Sequence, residues 1–272
     1  MTKILYLSVI IPAYNEEKRL GRTLESVASY LRDKPWESEV IVVSDGSTDK
    51  TREVVLSHQE LFPERSRGVT LKFIDNPENH GKGDVVSAGM MEARGALRLF
   101  MDADNATPIT ELEKFLPHIN QNNVVLRQAR ELKKGEDIFA ERSRSDTYDI
   151  VIGSLGLPES QYDKRKFFLR MLAGRAGNWF IQFLLLWGIY DTQRGFKLFT
   201  RRAAEAIFPK VTVTGWGFDV EALALARRTG FKIKELPVVW SDEEGSKIGF
   251  WAYPQVLWQV VKIRWRMWFD RL

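Results

Sequence analysis

The sequence predicts an α/β fold, a mostly parallel sheet flanked by helices. Two observations carry that expectation. Short apolar runs (Ile4–Ile11, Val40–Val43, Val69–Ile74 and Leu97–Met101) recur in the N-terminal part, as expected of strands buried on both faces. Each is followed by turn residues and, in the first three cases, by a helix-like pattern, and such alternation argues for parallel pairing.

Taken in order, Ile4–Ile11 reads as the first strand, and Pro12-Ala13-Tyr14-Asn15-Glu16-Glu17 ends it and opens a helix through about Tyr30. Val40–Val43 is the second strand; Ser44-Asp45-Gly46-Ser47-Thr48-Asp49 supplies a turn and a cap for a helix through about Ser57. Val69–Ile74 precedes Asn79-His80-Gly81-Lys82-Gly83 and a helix through Ala93. Leu97–Met101 delivers Asp102 and Asp104. Asn120–Asp146 is polar and reads as an excursion. Tyr148–Ile152 is a further strand, Lys164–Trp187 a long or broken amphipathic helix, Phe196–Phe199 a short strand and Gly217–Arg228 a helix. Lys232–Trp240 contains Pro237, so it is placed at a sheet edge. Pro254–Phe269 is the last helix. The expected organisation is one domain over residues 1–272, with 1–110 as one half and 148–250 as the other. Residues 164–187 and 254–269 are candidate membrane-surface helices.

Composition narrows the function. The 272 residues contain no cysteine, which excludes disulfides, zinc–thiolate sites and a cysteine nucleophile. A net charge of +4 does not fit a nucleic-acid binder. The basic residues are clustered: Lys164, Arg165, Lys166, Arg170 and Arg175 in one stretch, Lys262, Arg264, Arg266 and Arg271 in another. No secretory signal is read at the start, and the apolar stretch Trp179–Trp187 is far shorter than the ~20 residues that span a bilayer. The expectation is a cytoplasmic protein held peripherally at a membrane. Trp258, Val261, Trp265 and Trp268 recur at helical spacing with cations between them, which suits an interfacial helix but equally a packed face with solvated cations. A homodimer through the same surfaces is a further option.

Asp102-Ala-Asp104 is the most informative motif. Strand alternation points both carboxylates to one side at the carboxyl end of a strand, where ligands bind in open α/β sheets. Two hard oxygen donors this close suit Mg²⁺ or Mn²⁺ holding a diphosphate. The other turns add an aromatic (Tyr14), an amide (Asn15) and carboxylates (Glu16, Asp45), which fit a nucleoside; ordinary turn and cap chemistry explains each alone. Lys82 is able to reach a diphosphate from a helix start or to be a solvated turn residue. Neither a Gly-x-Gly-x-x-Gly after the first strand nor a P-loop is present.

Val9-Ile10-Ile11-Pro12-Ala13-Tyr14-Asn15-Glu16-Glu17, Ser44-Asp45-Gly46-Ser47-Thr48-Asp49 and Asp102-Ala103-Asp104 resemble the inverting glycosyltransferases of family 2, which have a GT-A fold. Asp191-Thr192-Gln193-Arg194-Gly195-Phe196-Lys197-Leu198-Phe199-Thr200, Trp216-Gly217-Phe218-Asp219-Val220-Glu221 and Glu244-Gly245-Ser246-Lys247 resemble its dolichyl-phosphate β-glucosyltransferase branch. The resemblance runs from Ile4 to about Trp268. It implies transfer of glucose from UDP-glucose to a polyprenyl (dolichyl-type) phosphate. An enzyme using GDP-mannose or another sugar nucleotide, and a non-catalytic nucleotide- and membrane-binding protein, are the alternatives. The implied nucleotide-sugar side is Pro12, Tyr14, Asn15, Glu16, Asp45, Lys82, Asp102 and Asp104, with the two last as metal ligands. The implied acceptor side is Gln193, Arg194, Trp216, Asp219 and Lys247, and the catalytic set is Asp191, Asp104 and Lys247. The chain departs from the family's pattern at Ser44, Ala106, Leu155 and Arg194.

Overall fold

The computed structural model describes residues 5–62, 68–119, 147–161, 177–241 and 252–269. Lys247 and its loop, the basic cluster at 164–175 and the excursion at 120–146 lie outside the described residues.

The expected alternation is present. Strand β1 (Leu7–Ala13) leads to helix α1 (Leu20–Arg32), β2 (Ser38–Asp45) to α2 (Thr51–Ser57), and β3 (Val69–Asn76) to α3 (Lys82–Glu92). Strand β4 (Leu97–Met101) has the bounds read from the sequence and is followed by the short α4 (Leu112–Phe115). Then come β5 (Ile150–Ser154), β6 (Phe196–Thr200), α5 (Arg201–Ile207), α6 (Phe218–Arg228), β7 (Ile233–Pro237) and α7 (Ala252–Phe269). Most strand ends shift by two to three residues from the expected bounds, and some of the helices differ more. The segment after β1 first makes a turn, so α1 begins only at Leu20. Helix α5 was not legible; Thr200 caps it by accepting a hydrogen bond from Ala203 N at 3.2 Å. The described part of the predicted 164–187 helix is α-helical over 177–181, widens to a π-turn at Gln182–Leu186, and stops before Gly188, whose φ is +83°.

The strands form one seven-stranded sheet in the order β3-β2-β1-β4-β6-β5-β7. All pairings are parallel except those of β6, which runs antiparallel to both β4 and β5. β7 is an edge strand ending at Pro237, the place expected for a strand proline. Both faces are covered, which explains the unbroken apolar runs. Val9, Ile11, Val40 and Val42 pack on one side with Leu20, Leu24 and Val27 of α1 and with Leu112 and Phe115. Ile10, Ile41 and Val43 pack on the other with Val85, Val86 and Met90 of α3, and with residues of α5, α6 and α7. Burying each such side chain contributes about 1.5–3 kcal/mol.

The reversal of β6 determines what the site contains. Met101, the last residue of β4, pairs with Phe196, the first of β6. The segment entering β6 (Asp191 to Gly195) therefore lies at the same sheet edge as Asp102. Strand β5, antiparallel to β6, brings its own C-terminal residues, Gly153 and Ser154, to that edge.

Candidate active site

The turn after β1 and the turn after β2 are laced together. Ser47 Oγ accepts from Asn15 N at 3.1 Å, Asn15 Oδ1 accepts from Thr48 N at 2.8 Å, and Thr51 Oγ1 accepts from Glu16 N at 2.7 Å. Asn15 holds a left-handed conformation, φ +53°, which its short polar side chain tolerates. Pro12 lies in the last part of β1, opposite Val43, and Tyr14 is 41% exposed at the edge. Glu16 is held by Arg19 through two hydrogen bonds, 2.8 and 2.7 Å, and Arg19 NH1 also lies 3.7 Å from Asp104 Oδ2.

Asp45 is buried, and its carboxylate accepts from His80 N at 2.7 Å and Gly81 N at 3.0 Å. It thereby fixes the loop that carries Lys82. Gly81 and Gly83 are required there for packing: a Cβ on Gly81 would lie 2.5 Å from Thr214 O, and one on Gly83 2.3 Å from Val213 O. Gly83 N donates to Thr214 O at 2.7 Å. The Gly-Lys-Gly segment is thus clamped against residues 213–214.

Lys82 Nζ donates to Asp102 Oδ1 at 2.6 Å, 5.1 Å from the ring centre of Trp216 and 5.4 Å from that of Phe100. Burial works to lower the Lys82 pKa, but Asp102, Asp219 and Asp104 outweigh it and keep the ammonium charged. Burial would raise the Asp102 carboxyl, yet the Lys82 ion pair, with Lys197 and Arg194 farther off, holds it below the usual carboxylate range. Asp104 differs: burial and the neighbouring Asp102 push it up, against the pull of Ala106 N–H, Arg19 and Lys82. Ala103 between them is buried, its carbonyl accepting from Thr23 Oγ1 at 2.6 Å.

This is a fitting place for a divalent cation. Asp102 and Asp104 put two hard oxygen donors two residues apart at the end of β4, and burial first, then Asp102, disfavours the charged form of Asp104, which a cation there would favour. Among the described residues no third carboxylate or imidazole joins them, so the remaining ligands would come from a bound diphosphate and water.

On the β6 side, Asp191 is buried, and its carboxylate accepts from Leu155 N (3.1 Å), Gln193 N (3.3 Å) and Arg194 Nε (2.9 Å). Its own N–H donates to Glu235 Oε1 at 2.7 Å. Arg194 also lies 5.3 Å from the ring centre of Trp240. Asp219, in the first turn of α6, pairs with Lys197 Nζ at 2.7 Å. Both are almost fully buried; burial pushes the Asp219 carboxyl up while Lys197 and Lys82 oppose it. Glu221 braces a loop instead of facing the site, accepting from Thr212 N at 2.8 Å, Val213 N at 2.7 Å and Arg266 NH1 at 3.0 Å.

Sequence reasoning missed Lys197, Arg19, Glu235 and the role of Gly195. Lys197 had a signal: a charge inside a strand covered on both faces needs a buried partner. Arg19 had one in its three-residue spacing from Glu16; Glu235 had none, because its partners, the N–H groups of Tyr190 and Asp191, are set by tertiary placement.

The expected interfacial stripe is exposed. Val256, Val260 and Ile263 of α7 are buried, whereas Trp258, Trp265 and Trp268 are 60%, 67% and 76% exposed. The adjacent 177–188 segment adds exposed Trp179, Phe183 and Trp187. Among the described residues no helix is long and apolar enough to cross a membrane.

The model of glycosyl transferase family 2 matches residues 8–208. A dolichyl-phosphate β-glucosyltransferase of Trichomonas vaginalis is 37% identical over 265 residues, 95% of this chain and 73% of that protein. The human dolichyl-phosphate β-glucosyltransferase is 35% identical, over 96% of this chain and 75% of its own. Among solved structures, glucosyl-3-phosphoglycerate synthase of Mycobacterium tuberculosis, in complex with Mn²⁺, UDP-glucose and phosphoglyceric acid, superposes with a TM-score of 0.60 at 18% identity, covering 96% of this chain and 78% of that one. That likeness establishes the GT-A architecture. With the family matched over most of the chain, and with relatives above 30% identity along nearly all of it, this protein is a glycosyltransferase and belongs to family 2.

Proposed function

We propose that the protein transfers glucose from UDP-glucose to a polyprenyl phosphate of the dolichyl type, with inversion, giving a β-linked lipid-phosphate sugar. The observation that carries the reading is the Asp102–Asp104 pair at the end of β4, met from one side by Lys82 and from the other by the Asp191–Arg194 turn. The names of the relatives supply the sugar and the acceptor.

Donor binding falls to the laced turns: Tyr14 packs on the base, Asn15 and Glu16 shape the turn, and Asp45 holds the Lys82 loop. Asp102 and Asp104 would hold Mg²⁺ or Mn²⁺, which supplies positive charge to the departing diphosphate. Lys82 adds its ammonium to the same oxygens. The acceptor phosphate monoester has a second pKa near ~6 and is largely ionised at neutral pH, so it needs little help from a base. Its oxygen bonds to C1 of glucose as the bond from C1 to the diphosphate breaks from the opposite side, and UDP leaves. Arg194 and Gln193 receive the acceptor phosphate; Asp191 stands beside the attacking oxygen and aims Arg194 through their 2.9 Å hydrogen bond. Trp216 and Asp219 brace Lys82 from the acceptor side. Lys247 is assigned to the acceptor phosphate on the Gly-Ser-Lys motif alone.

The exposed aromatics of α7 and the 177–188 segment, with Lys262 and Arg264, are the face we assign to the membrane surface, where the lipid substrate resides. The test is transfer of labelled sugar into short polyprenyl phosphate, with UDP-glucose, GDP-mannose and UDP-N-acetylglucosamine as parallel donors. Label from UDP-glucose supports the assignment. Label from another donor alone would change the sugar, and no lipid labelling from any donor would remove the lipid acceptor.

A further inference from the structure

The Asp102 carboxylate is paired with a cation from its own chain. Lys82 Nζ lies 2.6 Å from Asp102 Oδ1, in the position where a divalent ion would have to compete for that oxygen. We infer that Lys82 is a built-in counter-ion that holds Asp102 until a diphosphate draws it away, so that metal binding and donor binding are linked through this one ammonium. The inference rests on Asp102 and Asp104 being the metal donors.

The backbone on either side of the pair is fixed. Gly83 N is bonded to Thr214 O at 2.7 Å, and Asp102 N to Gly195 O at 3.0 Å. Gly81 has no room for a Cβ beside Thr214 O, nor Gly195 beside the Asp102 carboxylate. Separation of the pair therefore falls to side-chain torsions and not to backbone movement. Phe100 and Trp216 flank the ammonium at 5.4 and 5.1 Å from their ring centres, and aromatic faces tolerate a cation whose ion pair is loosened. Asp219 is the next carboxylate along, itself occupied by Lys197 at 2.7 Å. The charges thus alternate: Lys82, Asp102, Lys197 and Asp219.

A divalent ion entering alone meets a neutralised Asp102, a positive charge beside it, and only Asp104 less tightly paired, with Arg19 NH1 at 3.7 Å. A diphosphate changes that balance by offering Lys82 other oxygens, and Asp102 becomes available to the metal. UDP would tighten metal binding in any such site by contributing ligands of its own, so the diagnostic state is the protein without nucleotide.

The experiment is a Mn²⁺ titration of the full chain, with free Mn²⁺ read by electron paramagnetic resonance, with and without UDP. Lys82→Met keeps an unbranched side chain of similar length beside Phe100 and Trp216 and removes the charge. It is expected to bind Mn²⁺ without nucleotide about tenfold more tightly than the unaltered protein. UDP should then tighten Mn²⁺ binding less in the variant than in the unaltered protein. Lys82→Gln, which retains a donor to Asp102 without charge, is the second variant should Lys82→Met not fold, and is expected to behave alike. Equal or weaker Mn²⁺ binding by the neutral variants would overturn the inference. Asp104→Ala in the same titration separates the two readings: if it binds Mn²⁺ unchanged, the metal site itself fails, whatever Lys82 does.

Discussion

Gly195 lies against the Asp102 carboxylate so closely that a methyl group on its Cα would sit 2.0 Å from Oδ2. The contact follows from β6 running antiparallel beside β4, with Asp102 N bonded to Gly195 O at 3.0 Å. Gly195→Ala should therefore displace the Asp102 side chain. Overpacking of this kind costs about 1–3 kcal/mol, and sugar transfer should fall more than stability does. Urea denaturation and initial rates on the same preparation check both; an alanine variant with unchanged rate would mean that Asp102 need not stay where it is.

Lys197 and Asp219 form a buried pair at 2.7 Å. Lys197→Met leaves Asp219 without its nearest cation in a dry environment, and breaking such a pair destabilises by about 3–5 kcal/mol. The double variant Lys197→Met/Asp219→Leu should recover part of that loss, because no isolated charge remains. Chemical denaturation of the two variants side by side decides it.

A third expectation concerns pH. Burial alone would raise the Glu113 carboxyl, but hydrogen bonds from Lys34 and from Tyr30 Oη (2.7 Å) hold it below the usual range. A carboxylate with a depressed folded pKa stabilises above its unfolded pKa, and that contribution fades as pH falls through the folded value. Glu113 is half exposed, so solvent screening limits the effect to about 0.5 kcal/mol. Glu113→Gln should melt lower than the unaltered protein at neutral pH, and the two should converge in acid below the carboxylate range. A gap that stays constant with pH would assign the effect to packing.

The exposed face of α7 gives a fourth. Trp258, Trp265 and Trp268 point outward, while Lys262 and Arg264 lie 5.5 and 5.8 Å from the ring centres of Trp258 and Trp268. Replacing Trp265 and Trp268 with Ser should reduce sedimentation with anionic vesicles by at least about tenfold, since each buried aromatic contributes about 1.5–3 kcal/mol. Sedimentation equal to that of the unaltered protein would remove this face from the membrane.

What was legible in the sequence follows from which signals are local. Leu97–Met101 ended where its apolar run ended, so Asp102 and Asp104 could be placed at a strand terminus from the sequence alone. Gly81-Lys82-Gly83 was visible as a motif, but the reason for its glycines was not. They pack on Val213 and Thr214, far along the chain. The departures from the family's pattern all find partners, three of them within three residues and only Leu155 at long range. Arg194 Nε and Leu155 N both donate to Asp191, Ala106 N donates to Asp104 Oδ1 at 3.0 Å, and Ser44 Oγ meets Ser47 Oγ at 3.2 Å. Asp191, read as a residue beside the attacking oxygen, is held by three N–H donors that no spacing rule could reveal. The stripe of Trp258, Val261, Trp265 and Trp268 was ambiguous because helical spacing does not say which face is covered. The packing of Val256, Val260 and Ile263 settles that the aromatic side faces outward.

The most direct test of the central claim is a single-turnover transfer from UDP-glucose to short polyprenyl phosphate, run with the unaltered protein and with Asp104→Ala. Circular dichroism establishes that both are folded, and proton NMR reads the anomeric coupling of the product. The account predicts a β-linked glucosyl phosphate lipid from the unaltered protein and a rate at least about 100-fold lower from Asp104→Ala. An α-linked product would contradict inversion, and an undiminished rate in the folded variant would contradict the assignment of Asp104 to the donor diphosphate.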